Sequence, residues 1–148
     1  MKCVEWSHPD PFIEGHRVTE PEIDFLEHVN NKVYLEWMEK IAWEHSLSVG
    51  IDHQRQQALG KIMVVKQHLL NYHAGCYLGD QLLIGTWLGE QIGCCQRKRH
   101  YEIFRQSDGK RIFSGHTVWA CMNLKTHRAC RIPQAFITPY ETAAGYPI

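Results

Sequence analysis

The sequence predicts an α+β fold in which an antiparallel sheet of about five strands wraps around one long central helix. Three observations predict it. Only one long stretch spaces its apolar residues as a helix does. After Gly60 the chain turns into β-branched and aromatic segments separated by turn residues, and Asp108-Gly109 sits between two of these as a tight-turn signal. Helix and strands are segregated rather than alternating, which favours an antiparallel sheet over βαβ units.

In chain order, a short strand is expected near Gly15 to Thr19, ahead of the helix. From Asn31 to about Leu47, the apolar residues Val33, Tyr34, Trp37, Met38, Ile41 and Ala42, then Leu47, mark one helical face. Asn30 or Asn31 can cap its start by accepting from an early backbone N–H, and Gly50 can take the positive φ that ends it. At 1.5 Å per residue such a helix is a rod of roughly 25 Å. Strands are then expected over 61–72, 80–92, 94–106 and 110–124. Asp108 and Gly109 both tolerate positive φ, so the last two strands should be antiparallel neighbours.

Composition bounds the class. A chain of 148 residues without an internal repeat or a Gly/Pro-rich linker predicts one domain over 1–148. With 44% hydrophobic and 22% charged residues it matches soluble globular proteins and not disordered or collagen-like chains. Sixteen Lys and Arg balance sixteen Asp and Glu, so no global field draws nucleic acid or an anionic membrane, and neither is expected as a partner. Six cysteines, two of them adjacent at Cys94 and Cys95, do not make a disulfide scaffold and read as a reducing, cytoplasmic setting. The longest unbroken apolar run is the five residues Val118 to Met122, against roughly 20 needed for a membrane span. The N-terminal residues show no signal-peptide pattern.

The most informative stretch runs from Glu22 to Leu35. It places a carboxylate, an imidazole and two amides, Asp24, His28, Asn30 and Asn31, in the loop entering the helix, where uncapped N–H groups and the positive end of the dipole gather. Such a site can stabilise developing negative charge. Acids and Asn at a helix start also serve as plain caps, so residue type alone leaves both roles open.

Here the sequence resembles the hot-dog-fold acyl-CoA thioesterases of the 4-hydroxybenzoyl-CoA thioesterase type, with plant acyl-carrier-protein thioesterases as more distant relatives. The shared motif reads Asp24, His28-Val29-Asn30-Asn31 and Tyr34. Further agreement comes from Tyr72 followed by Gly79-Asp80-Gln81-Leu82, and from Asn123-Leu124-Lys125-Thr126 leading to Arg131-Ile132-Pro133; the resemblance covers a core of about residues 16–137. Two positions depart from it: Glu22 stands where many relatives have a second Asp, and Glu27 where a Gly commonly precedes the His.

The resemblance implies hydrolysis of an acyl-CoA thioester to free acid and CoA. Asp24 would be the general base or the nucleophile, and a backbone N–H near Asn31 the oxyanion donor. His28, Asn30 and Asn31 would orient the reacting groups, although the Asn31 side chain could equally be a cap. Tyr34 could line the acyl pocket or belong to the core. Coenzyme A carries phosphates, for which Arg97, Lys98, Arg99 and Arg105 form the one basic neighbourhood; a solvated strand face is the alternative. No cofactor is implied, CoA being part of the substrate. Ten His and six Cys contain no C-x-x-C or H-E-x-x-H spacing, so no metal is expected, and Cys94 and Cys95 have no identifiable base.

A homodimer or homotetramer is expected, because about five strands leave an open sheet edge. The rival function is a non-catalytic hot-dog protein that binds an acyl-CoA or acyl-carrier protein, since function resides in the site and not in the fold. A hot-dog dehydratase ranks third, because its His motif differs.

Overall fold

The long helix forms where the apolar spacing placed it. In the computed structural model, which describes residues 3–143, α1 runs Asn31–Ser48. It buries Val33, Tyr34, Trp37, Met38, Ile41 and Ala42 of the stripe read from the sequence, but leaves Leu47, the last member of that stripe, 46% exposed. Gly50, at φ 82°, donates its N–H to the Leu47 carbonyl and turns the chain away.

Five strands build one antiparallel sheet. They are β1 (Phe12–Arg17), β2 (Lys61–Tyr72), β3 (Gln81–Ile92), β4 (Gln96–Arg105) and β5 (Arg111–Asn123), in the order β1-β3-β4-β5-β2. The last two strands are neighbours, as Asp108-Gly109 predicted. Gly109 sits at φ 69° and donates to the Arg105 carbonyl, while the Arg105 N–H reaches Lys110. The first strand begins earlier than expected. Phe12 and Ile13 join the ladder opposite Thr86 and Gly85, and the chain leaves it after Arg17 to enter a 3-10 turn at Glu20–Glu22.

Two further helices carry little apolar periodicity and were not anticipated. The first is α2 (His53–Leu59), defined by its ends: Asp52 caps it by accepting from the Arg55 N–H at 2.7 Å, and Gly60 closes it. The second is α3 (Thr138–Ala143). No helix among the described residues is long and apolar enough to cross a membrane.

The described residues fall into two compact units, and four of the strands run through both. The first comprises those up to Ala42 with Leu70–Trp87 and Tyr101–Gly115. Its core stacks Tyr34 of α1 on Phe113 of β5, with ring centroids 5.1 Å apart, and adds Met38, Ile41, Leu82, Ile103 and Ile112. Trp6, ahead of β1, lies so close to β3 that a Cβ at Gly85 would sit 2.3 Å from its ring. The second unit comprises Trp43–Leu69, Leu88–His100 and the described residues from His116 onward. It is centred on Ile51, Cys121, Ile132, Phe136 and Tyr140.

Candidate active site

The loop entering α1 is closed on itself. A bridge pairs Ile23 with Val29, and inside it the Asp24 N–H donates to the His28 carbonyl at 3.0 Å while the Glu27 N–H donates to the Asp24 carbonyl at 3.0 Å. Asp24 also builds the turn with its side chain, Oδ1 accepting from the Leu26 N–H at 2.8 Å as an Asx turn does. The reversal forces Glu27 to φ 67°. That is left-handed space, where a residue with a Cβ costs about 1–2 kcal/mol. The position where relatives commonly carry Gly thus has a backbone reason for it, and this chain bears the strain.

Asp24 keeps a free oxygen. Its side chain is 17% exposed, and Oδ2 has no hydrogen-bond partner among the described residues. His28 Nδ1 lies 4.0 Å from Asp24 Oδ1 and 3.3 Å from the Val29 carbonyl. A carbonyl only accepts, so Nδ1 is the donor in this contact.

The helix start divides the two asparagines. Asn30 is the cap: its carbonyl accepts from the Val33 N–H at 2.9 Å and its Oδ1 from the Lys32 N–H at 3.1 Å. Asn31 is the first residue of α1, with an exposed side chain and a carbonyl that accepts from the Tyr72 hydroxyl at 3.1 Å. Its N–H meets no acceptor among the described residues. A donor left open at the positive end of an 18-residue helix is the kind of group that receives an oxyanion.

Glu22, the other carboxylate of the motif, is fully committed. Oε1 accepts from the Thr19 N–H at 2.8 Å and the Thr19 hydroxyl at 3.0 Å, Oε2 accepts from Trp37 Nε1–H at 2.8 Å, and His16 Nε2 lies 2.9 Å from both. Desolvation pushes its pKa up, but the Thr19, His16 and Trp37 hydrogen bonds outweigh that and hold it below the usual carboxylate range. Glu22 anchors the loop, and Asp24 is the acid with an oxygen to spare. Sequence reasoning saw both as carboxylates and could not distinguish them this way.

The other candidates scatter. Tyr34 is 2% exposed, with its hydroxyl 3.3 Å from Cys76 Sγ. Burial, then the Cys76 contact, push the phenol pKa up, and burial pushes the Cys76 thiol up to about 11. Tyr34 thus packs into the core of the first unit. The basic neighbourhood is divided as well, because strand alternation turns Arg97, Arg99 and Arg105 to one face of β4 and Lys98 to the other. In the second unit Arg99 is 4% exposed, donates from Nη1 to His45 Nδ1 at 2.8 Å and lies 5.4 Å over the Tyr140 ring. Arg97 donates from Nε to the Gly89 carbonyl at 3.1 Å, and Lys98 pairs with Glu90 at 3.3 Å. In the first unit Arg105 Nε and Nη2 fork onto the Asp108 carboxylate at 3.2 and 3.0 Å.

Two supports of the site went unread in the sequence: the Cys76 carbonyl, which accepts from the Val29 N–H at 3.0 Å, and the Tyr72 hydroxyl on Asn31. Tyr72 belonged to the shared pattern without a role, and no residue-type signal marks a backbone carbonyl.

Known proteins agree with this architecture. A 1,4-dihydroxy-2-naphthoyl-CoA thioesterase from Synechocystis superposes with a TM-score of 0.81 at 17% identity, over 93% of this chain and 99% of that one. A probable thioesterase from Escherichia coli gives 0.75 at 23% identity, over 89% and 98%. A hypothetical protein from Staphylococcus aureus, solved in complex with CoA, gives 0.82 at 15% identity, over 100% and 90%. At these identities the likeness is one of fold. Among curated protein sequences the chain has no significant match. The sequence itself carries the family pattern from residue 18 to residue 138, and on that match the chain belongs to the thioesterase-like superfamily.

Proposed function

We propose that the protein is an acyl-CoA thioesterase of the 4-hydroxybenzoyl-CoA thioesterase type, releasing a free carboxylic acid and CoA. One observation carries the reading: Asp24 holds its loop through Oδ1 and keeps Oδ2 uncommitted, at the entrance to a helix whose first N–H, that of Asn31, is also uncommitted. Superfamily membership supports thioester hydrolysis, and the CoA complex of the Staphylococcus aureus neighbour supports CoA as the carrier.

The chemistry asks little else of the protein. Asp24 Oδ2 takes a proton from the attacking water, or attacks the thioester carbonyl itself to give a mixed anhydride that water then cleaves. In both routes the carbonyl oxygen gains negative charge, which the Asn31 N–H and the dipole of α1 would receive. The leaving thiolate, with a conjugate acid of pKa roughly 8.5, departs without a strong general acid. His28 and Asn30 hold the geometry of the loop. Among the cations, Arg97 is the one proposed for a CoA phosphate, since burial withdraws Arg99, the Asp108 fork engages Arg105, and Lys98 lies on the opposite face of β4 paired with Glu90.

The functional particle is proposed to be a homo-oligomer, at least a dimer, with the acyl site between subunits. A screen of acyl-CoAs graded in chain length and aromaticity, following released thiol for the wild type and Asp24→Asn, tests the reading; turnover by the wild type and its loss in the variant are expected. The Asx turn made by Asp24 Oδ1 favours one alternative, a non-catalytic acyl-CoA binder, because it gives this Asp a structural task of its own. Binding without turnover across the screen would establish that alternative.

A further inference from the structure

We propose that Arg105 is a positioning residue for the Asp24 site, holding the Gly75–Cys76 peptide on which His28 and Val29 are seated. The inference rests on the catalytic reading of that loop. Arg105 ends β4 with its side chain only 15% exposed, and all three guanidinium nitrogens are engaged. Nη1 donates to the Gly75 carbonyl at 2.9 Å and lies 3.7 Å from Asp80 Oδ2; Nε and Nη2 take Asp108. The fork fixes the plane of the guanidinium, so the direction in which Nη1 points is set by the β4–β5 hairpin.

The far end of this clasp is the floor of the catalytic loop. The Cys76 carbonyl, one residue beyond the one Arg105 grips, accepts from the Val29 N–H at 3.0 Å. A Cβ placed on Gly75 would lie 3.9 Å from His28 Cβ and 3.4 Å from the Tyr77 hydroxyl, so Gly75 lies beside His28 with room for about a methyl group between them. Asp80 completes the segment by accepting from the Tyr77 N–H at 2.9 Å. A shift of the 75–76 peptide is passed on by the adjoining Cys76 carbonyl to the Val29 N–H, and from the neighbouring His28 carbonyl to the Asp24 N–H it accepts from. Three of the five guanidinium N–H donors, one on each nitrogen, are already taken by Asp108 and Gly75. The side chain is well placed to fix a peptide.

The test compares Arg105→Gln, Arg105→Lys and Asp108→Asn with the wild type on an acyl-CoA and on the matching acyl-pantetheine, which lacks the phosphates. In Arg105→Gln we expect kcat to fall about tenfold on both substrates, with KM for the CoA thioester unchanged, because misplacement of reacting groups acts on the chemical step. Arg105→Lys should recover part of the loss, and Asp108→Asn should show a smaller loss of the same kind. The amide NMR resonances of His28 to Asn31 should move in all three variants, and also when each is combined with Asp24→Asn. A KM rise confined to the CoA thioester would make Arg105 a phosphate ligand instead, and unmoved His28 to Asn31 amides in folded variants would overturn the proposal. Should Arg105→Gln not fold, the Lys and Asp108→Asn variants decide by the same readouts. Full activity in Asp24→Asn alone would defeat the catalytic reading, while the amide shifts would still report whether Arg105 seats the loop.

Discussion

Asp24 and His28 face each other across the loop that enters α1: the Asp24 amide donates to the His28 carbonyl at 3.0 Å, and His28 Nδ1 lies 4.0 Å from Asp24 Oδ1. The backbone bond, not the side-chain approach, holds the pair together. Substitutions at His28, and those at Asp24 that keep an acceptor for the Leu26 N–H, can therefore be read as chemistry without the loop opening.

Asp24→Asn retains an oxygen to accept from the Leu26 N–H, so the turn should survive and the thermal midpoint should stay near that of the wild type. An amide neither deprotonates water well nor attacks a carbonyl, and hydrolysis should fall on the order of 10²-fold or more. His28→Ala should lose less. Released-thiol assays check both, and an unchanged kcat in Asp24→Asn would move the chemistry elsewhere.

Glu27→Gly should stabilise the protein. Glycine has no Cβ to strain at φ 67°, so urea unfolding should report a gain of about 1 kcal/mol, with hydrolysis retained. No gain would mean that the loop does not reverse at this residue in solution.

Glu22→Gln removes the charge that gathers Thr19, His16 and Trp37. The folded pKa of Glu22 lies below the ordinary value of 4.5, so its contribution is fully present above pH 4.5 and is lost as pH falls through the folded pKa. At pH 7 the variant should be less stable by about 1–3 kcal/mol. Below pH 4.5 its stability curve should converge on that of the wild type. A pH-independent gap would assign the loss to packing.

His45 should make the protein acid-sensitive. Burial, then the Arg99 charge, press its pKa down to about 3 from 6.5, so between those values the unfolded chain binds a proton that the folded chain refuses. Stability should decline as pH is lowered through that window, and more steeply in the wild type than in His45→Gln, whose amide oxygen can still accept from Arg99. Equal slopes would exclude His45 as the cause.

The sheet order leaves β1 and β2 at the edges, and the 12-residue β2 exposes Val65 and Leu69. An edge of that length calls for a partner, and pairing between two copies would give a continuous sheet of roughly ten strands. Light scattering at falling concentration should show a dimer or larger, with specific activity dropping as it dissociates. A fully active monomer would defeat this arrangement.

Periodicity and turn chemistry made much of this protein legible before its structure. The α1 stripe and the Asp108-Gly109 turn are local events, decided among residues within a turn or two of one another, and so they can be read directly from order along the chain. The Asp24, His28, Asn30 and Asn31 cluster was found as a motif for the same reason. By contrast α2 escaped, because His53–Leu59 has almost no apolar stripe and is defined by its caps.

What each charged or polar group does in that cluster was decided only by tertiary structure. Glu22 is spent in part because Trp37, fifteen positions on, claims one of its oxygens. Tyr34 is withdrawn into the core by Cys76, forty-two positions away, and Arg105 is turned to the loop by Gly75, thirty positions before it. Sequence pattern records which groups a segment carries. Which of their atoms remain unbonded depends on partners brought close by the fold, and there the free carboxylate oxygen of Asp24 and the free N–H of Asn31 were settled.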